Sequence, residues 1–257
     1  GWWPVEPLVR VEWQGPVAGL TLNRPGRHNS LVPELLGALL EALGALRDRP
    51  DLRALVLQAE GRSFSTGGDV RRFYAQGEGI GEYADGLVGQ LNRAVLALLD
   101  FPAPVVAAVH GIVTGGSLGL VLAADVVLVA PEASFAPWYN VVGFSPDGGW
   151  TALLPAVIGP RRAAEVLLRN LTITAQQAVE WGLASRVVPA SAVRAEAWRV
   201  AAEIAALWPG SVRRTRRLLR GTLGDVAARL EAERREFCAQ VVTAEAREGM
   251  RRYLGEE

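Results

Sequence analysis

The chain has no lysine: all 27 of its Lys+Arg residues are arginine. Schiff-base catalysis through a lysine amine is therefore excluded. Cys238 is the single cysteine, so neither a disulfide framework nor a cysteine-rich metal site can form within the chain, and a reducing cytoplasm is the expected compartment. Two histidines, His28 and His110, are too few for a His-based metal site and argue against a histidine triad; no metal is expected. Excess charge of either sign is absent too, with 27 basic against 27 acidic residues. That balance argues against bulk attraction to nucleic acid or to an anionic membrane. The opening GWWPVEP has neither the basic flank nor the apolar core of a signal peptide. The one long stretch without charge, Phe101 to Asp125, is interrupted by Pro102, Pro104, Gly111, Gly115, Gly116 and Gly119. A spanning helix needs about 20 continuous apolar residues, so no membrane span is expected.

That stretch, FPAPVVAAVHGIVTGGSLGLVLAAD, parses as two buried elements with a hinge. Val105 to Val109 is a short β-branched run, a strand covered on both faces. Gly111 to Gly116 turns the chain, and Ser117 to Ala124 reads as a tightly packed helix. A strand, a Gly-Gly turn and a helix start aim unpaired N–H groups at one point, where an anion or a developing oxyanion can bind. The alternative is that the glycines only permit close packing. A second unit of the same kind follows the strand Ala54 to Gln58: in EGRSFSTGGDVRRF, Gly67 and Gly68 make the turn and Asp69 takes the N-cap position.

A chain of 257 residues, half of them hydrophobic, can bury a large core. Leu8 to Gln14 and Val17 to Leu22 read as a hairpin around Gly15-Pro16. Pro33 opens a helix with a leucine stripe running to Arg47. Gln76 to Asp85 reads as a mobile loop, and the helical stripe resumes at Leu87. Asp125 to Ala130 is a strand, Pro131 to Trp150 a long loop, Thr174 with Gln177 a capping box closed by Gly182, and Arg186 to Val188 a short strand. Strands alternating with helices place the chain in the α/β class. Trp208-Pro209-Gly210 marks the boundary between a core over residues 1–208 and a helical region over 209–257. Asp125 and His110 are read as structural and Glu132 as solvated, while His28 fits either role. The run Arg213, Arg214, Arg216, Arg217, Arg220 is read first as a solvated helix face, with a subunit contact or a CoA phosphate contact as the alternative.

LNRPGRHNSL, GRSFSTGGD, PVVAAVHGIVTGGSLGLVLAADVVLVA, the loop from Phe135 to Thr151, and LTITAQQAVEWGLASRVVP are collinear over nearly the whole chain. In order and spacing they resemble the crotonase superfamily, the enoyl-CoA hydratase/isomerase group. The resemblance implies a spiral of ββα units with a helical C-terminal region, assembled as a trimer or a hexamer. It implies an acyl-CoA thioester substrate, with coenzyme A entering as part of the substrate and no separate cofactor. It also implies that the backbone amides of Gly68 and Gly116 form an oxyanion hole. Ser63, Ser65 and Thr66 fall in the adenine-binding stretch, and Arg27 where a basic residue meets the CoA nucleotide; a solvated loop arginine is the other reading of Arg27. Trp138 and Tyr139 are expected to line the acyl pocket, with a donor role for the Tyr139 hydroxyl as the secondary reading. The family's basic segment after the final helix has no counterpart in the ending YLGEE.

The two glutamates of the hydratases fall on Gly119 and Tyr139. Water addition needs paired acid and base groups, so ordinary hydration is not expected. Asp147, in VVGFSPDGGW, resembles the single catalytic aspartate of the isomerase branches. One carboxylate beside an enolate site suffices to shift a proton, and nearby aromatic residues would raise its pKa. Capping of the next helix is the structural alternative for Asp147. Dihydroxynaphthoyl-CoA synthase-like ring closure and residual hydratase activity stay open. A non-catalytic family member that binds CoA, or RNA through the arginine-rich helix, is the reading from another class.

Overall fold

Residues 5–256 are described by the computed structural model. Residues 1–4 of the opening segment and residue 257, at the two ends of the proposed domains, lie outside the described residues. In chain order the elements are β1 (Val9–Gln14), β2 (Val17–Leu22), α1 (Pro33–Arg47), β3 (Ala54–Ala59), α2 (Val70–Ala75), α3 (Ile80–Leu99), β4 (Val105–Val109), β5 (Ile112–Thr114), α4 (Leu118–Leu122), β6 (Val126–Val129), β7 (Ser134–Ala136) and α5 (Tyr139–Val142). They continue as α6 (Leu154–Ile158), α7 (Pro160–Arg169), β8 (Ile173–Thr174), α8 (Ala175–Glu180), β9 (Arg186–Val187), α9 (Val193–Ala205), α10 (Pro209–Arg220), α11 (Gly224–Val241) and α12 (Ala244–Leu254).

The main sheet has the order β1-β2-β3-β4-β6-β9. Only the β1–β2 hairpin is antiparallel, from Val9 opposite Leu22 to Gln14 opposite Val17; every other pairing in it is parallel. Its central strands are apolar at nearly every position because both faces are covered. Leu55, Leu57, Val105, Ala107 and Val109 face the large core shared with α1 and α3, while Val56, Val106, Ala108 and Leu128 face α9 through Ala197, Trp198 and Ala201. A second, smaller sheet runs β5-β7-β8, with Ser65 bridging Val113 at its edge. Each strand of the pair β4 and β6 is thus followed by a short strand of the other sheet and then a helix. This is the expected ββα spiral, repeated in structure without a repeat in sequence.

Three local expectations need correction. Gln76 to Asp85 is not a loop: Gly77–Gly79 is a 3-10 turn and α3 starts at Ile80. Ile80 and Ala84 extend the buried stripe of Leu87, Val88, Leu91, Ala94, Val95 and Leu98 by two turns, and that burial outweighs the propensity cost of Gly81, Gly86 and Gly89. Gly111 to Gly116 holds a strand, β5, between its two bends. The loop from Pro131 to Trp150 contains β7 and α5. Elsewhere local signals match: Asp69 accepts from Arg72 N, and Thr174 and Gln177 form a reciprocal capping box. Beyond Trp208 the chain is helical, with α11 lying along α3 and α12 against α2 and α5. Among the described residues no helix is long and apolar enough to cross a membrane.

Candidate active site

The site forms where the two strand–turn–helix units leave the C-terminal ends of β3 and β4. Their turns are laced together. Thr114 N donates to Ser65 O at 3.1 Å, Thr114 Oγ1 to Thr66 O at 2.8 Å, and Ser117 Oγ to Ser65 O at 3.0 Å. A Cβ on Gly67 would lie 2.5 Å from Thr114 O and 3.2 Å from Gly115 Cα, so the turns meet backbone to backbone. Among the described residues the Gly68 amide donates to no backbone acceptor in the turns, and Gly116 sits in the first turn of a 3-10 helix, where amides have no intrahelical partner. Both glycines line one cavity of about 250 Å³. Gly68 immediately precedes the N-cap of α2, and Gly116 lies in the 3-10 turn that runs into α4. Two amides at helix starts therefore face one space, an arrangement suited to a developing negative oxygen.

Asp147 enters the same cavity from the loop before α6. The approach is close: a Cβ on Gly116 would stand 2.9 Å from Asp147 Oδ1, and one on Gly148 only 2.4 Å from Gly116 Cα. The carboxyl group does not cap a helix; its Oδ1 accepts the Tyr139 hydroxyl at 2.5 Å. Asp147 is buried, and that burial pushes its pKa up to about 7. The Tyr139 hydrogen bond pulls in the opposite direction, and the negative charge of Glu233 adds to the rise. Burial, then the facing carboxylate, lifts Tyr139 well above the usual phenol value. The phenol therefore stays protonated and donates to Asp147.

Glu233, on α11, holds the Asp147 loop in place. Its buried carboxylate accepts from Gly149 N, Thr151 N and Ala152 N, each at 2.9 Å, and from Thr151 Oγ1 at 2.6 Å. Trp150 Nε1 donates to Gly115 O at 2.8 Å, tying the same loop to the second glycine turn. The remainder of the cavity wall is apolar and aromatic. Phe73, Phe144 and Phe237 pack on one another at centroid distances of 5.2–5.7 Å, and Trp138 stands edge-on to Tyr253, 6.4 Å between centroids.

Of the residues singled out in the sequence, Asp147, Gly68, Gly116, Thr66, Trp138 and Tyr139 line this cavity; Arg27, Ser63 and Ser65 do not. Ser63 and Ser65 are buried beneath it and brace the turn. The Ser63 hydroxyl meets His28 Nδ1 at 3.0 Å, and Ser65 Oγ donates to Asn29 O at 2.7 Å. Arg27 is exposed on the 3-10 turn Pro25–Arg27. His110 Nε2 bonds Gly61 O at 2.7 Å, and Asp125 pairs with Arg216 and Arg220, so both are structural. The arginine run is not wholly solvated, because Arg216 is buried. At Gly119 a Cβ would come within 2.8 Å of Gly148 O and of Val95, leaving no room for a side chain. Glu233, Phe237 and Tyr253 escaped sequence reasoning. Glu233 had one available signal: it falls on the helical stripe Leu230, Phe237, Val241, where a lone carboxylate must find donors.

A model of the enoyl-CoA hydratase/isomerase family matches residues 12–257. The chain is 33% identical over 199 residues to 4-chlorobenzoyl coenzyme A dehalogenase-2 of an Arthrobacter species, covering 77% of this chain and 72% of that protein. It is 36% identical over 173 residues to 1,2-epoxyphenylacetyl-CoA isomerase of Escherichia coli K12, covering 67% and 66%. The structure superposes on an enoyl-CoA hydratase/isomerase from Mycobacterium paratuberculosis with a TM-score of 0.89 at 30% identity, over 97% of this chain and all of the other.

Proposed function

Because this chain belongs to the enoyl-CoA hydratase/isomerase family, we propose that it is an acyl-CoA isomerase acting through a thioester enolate, with Asp147 as acid and base. The family places the chain among acyl-CoA-processing enzymes; the choice of isomerisation rests on the site. The carrying observation is a single buried carboxyl, poised near neutrality, in the cavity onto which two unpartnered backbone amides open.

Asp147, ionised, removes a proton from the acyl chain beside the thioester or at the end of a conjugated system. The electron pair moves onto the thioester oxygen, where the Gly68 and Gly116 N–H groups stabilise it; each such donor is worth about 3 kcal/mol of barrier. The protonated Asp147 then returns the proton to a different carbon, and the carbonyl re-forms. One carboxyl serves both steps because its pKa lies near the working pH. The Tyr139 O–H steers Oδ1 and leaves Oδ2 for the substrate. Hydration would need a second carboxyl, and the closed space at Gly119 supports its absence. The ring of Phe73, Phe144, Phe237 and Trp138 around a cavity of about 250 Å³ suits a compact aryl or cyclic acyl group better than a long chain. The trimer or hexamer implied by the family remains part of this proposal, supported by the exposed Trp208, Leu218 and Leu219.

The test is a panel of crotonyl-CoA, a 3-enoyl-CoA, an aryl-acetyl-type CoA and 4-chlorobenzoyl-CoA with native protein and Asp147→Asn. Isomerisation lost in the variant, with little hydration, is the expected result. Hydration that survives the substitution would refute the reading, and chloride release dependent on Asp147 would recast the carboxylate as a nucleophile.

A further inference from the structure

Helix α10 reads PGSVRRTRRLLR, five arginines and no acid in twelve residues. Arginines at i,i+3 or i,i+4 repel one another, and this helix has five such pairs: 213–216, 213–217, 214–217, 216–220 and 217–220. Two of the five are held by the fold. Arg216 is buried, with Nε on Asp125 Oδ2 at 2.8 Å and its other nitrogens on the carbonyls of Leu98 and Leu99, at the end of α3, and of Phe101 just past it. Arg220 donates through Nη2 to Ala123 O at 2.5 Å and to Asp125 Oδ1 at 2.9 Å, and its Nε is buried without any partner. Among the described residues Arg213 and Arg217 have no carboxylate within ion-pair distance.

These four arginines and Arg47 line a second cavity of about 170 Å³, closed by Phe101, Pro102 and Leu223. Its wall holds one acid, Asp100, already paired with Arg47 at 3.0 Å. Counting Asp125 behind the wall as well, five positive groups face two negative ones, an excess of three. Burial draws Arg220 below the ordinary arginine value, and the positive charge of Arg216 adds to the fall against the opposing pull of Asp125. The cavity lies at the N-terminal ends of β4 and β6, where Asp125 accepts from Val105 N. Gly68 and Gly116 lie past the C-terminal ends of β3 and β4. The five residues of β4 alone separate the two by about 16 Å.

We propose that this cavity is a binding site for a polyphosphate anion, a diphosphate group held by Arg213 and Arg217 with the positive charge of Arg220 behind them, distinct from the acyl cavity. Guanidinium groups present paired N–H donors that match phosphate oxygens, and the concave wall favours a small anion over an extended polymer. The diphosphate can belong to a free anion or to the nucleotide end of a CoA molecule. The site does not depend on the isomerase reading.

The test measures binding of pyrophosphate and of CoA by calorimetry at constant ionic strength, on native protein and on Arg213→Ala/Arg217→Ala. Both side chains are exposed, so the variant keeps its fold, checked by its unchanged circular dichroism and melting temperature without ligand. Saturable pyrophosphate binding weakened at least 10-fold in the variant is expected. A second equivalent of CoA lost in the variant while the first remains would assign the site to the nucleotide. Pyrophosphate binding alone would assign it to a free anion. Equal binding by both proteins, or none by either, overturns the proposal, as does an RNA oligonucleotide that binds through these arginines where pyrophosphate does not.

Discussion

Asp147→Asn tests the electrostatics of the site without knowledge of the substrate. In the folded protein the Asp147 carboxyl has a pKa of about 7, against an ordinary value of 3.8. A group whose folded pKa is raised contributes its full stability below the unfolded pKa, and that stability is lost as pH rises toward the folded pKa. Between pH 4 and 7 the unfolded chain has released this proton and the folded chain has not, so native stability falls across that window. Integrating the two titrations, the loss between pH 5 and pH 8 is roughly 2–3 kcal/mol. Asparagine has no proton to release, and its carbonyl still accepts from Tyr139. Urea unfolding of both proteins at pH 5, 6, 7 and 8 gives the difference directly. Asp147→Asn is expected to be the more stable protein at pH 8, with an advantage over the parent that shrinks by roughly 2–3 kcal/mol on going to pH 5. A difference that is the same at all four values would mean that the carboxyl titrates as an ordinary surface acid, and Asp147 would not be a base poised near neutral pH.

Two other substitutions perturb the same group from either side. Tyr139→Phe removes the hydrogen bond that lowers the Asp147 pKa; a bond to a charged acceptor is worth about 1.5–3 kcal/mol, roughly one to two pK units. The acid limb of the kcat/KM profile should move to higher pH by that amount, and an unmoved limb would remove Tyr139 from the role given to it. Glu233→Gln acts in the opposite direction, because a neighbouring negative charge is lost while the loop loses part of its anchor. The limb should move to lower pH, and stability should fall by about 3 kcal/mol, the usual cost of breaking a buried charged network. A stability loss with no movement of the limb would make Glu233 purely a loop anchor.

Much of this molecule was legible in the chain because local physics writes itself at short range. Leu35, Leu36, Leu39, Leu43 and Leu46 mark α1 by period, Asp69 and Thr174 by capping chemistry, and Val105–Val109 by a run too apolar for a half-exposed strand. The two glycine turns were visible as backbone features, and the resemblance of SPDGGW singled out Asp147. Where local rules compete the reading failed: Gly77 and Gly79 suggested a loop, but Ile80 and Ala84 had a core to join. What makes the site belongs to another scale. Tyr139 meets Asp147 eight residues away only because α5 turns back over the cavity, and Glu233 reaches Gly149 across 84 residues of sequence. Arg216 and Arg217 are chemically identical neighbours, one buried against Asp125 and one exposed at the mouth of the second cavity. Residue order specifies which groups are present and what backbone they prefer. Which of them lose water together is decided by how distant elements pack, and that loss of water sets the pKa of Asp147 and the empty space beside it.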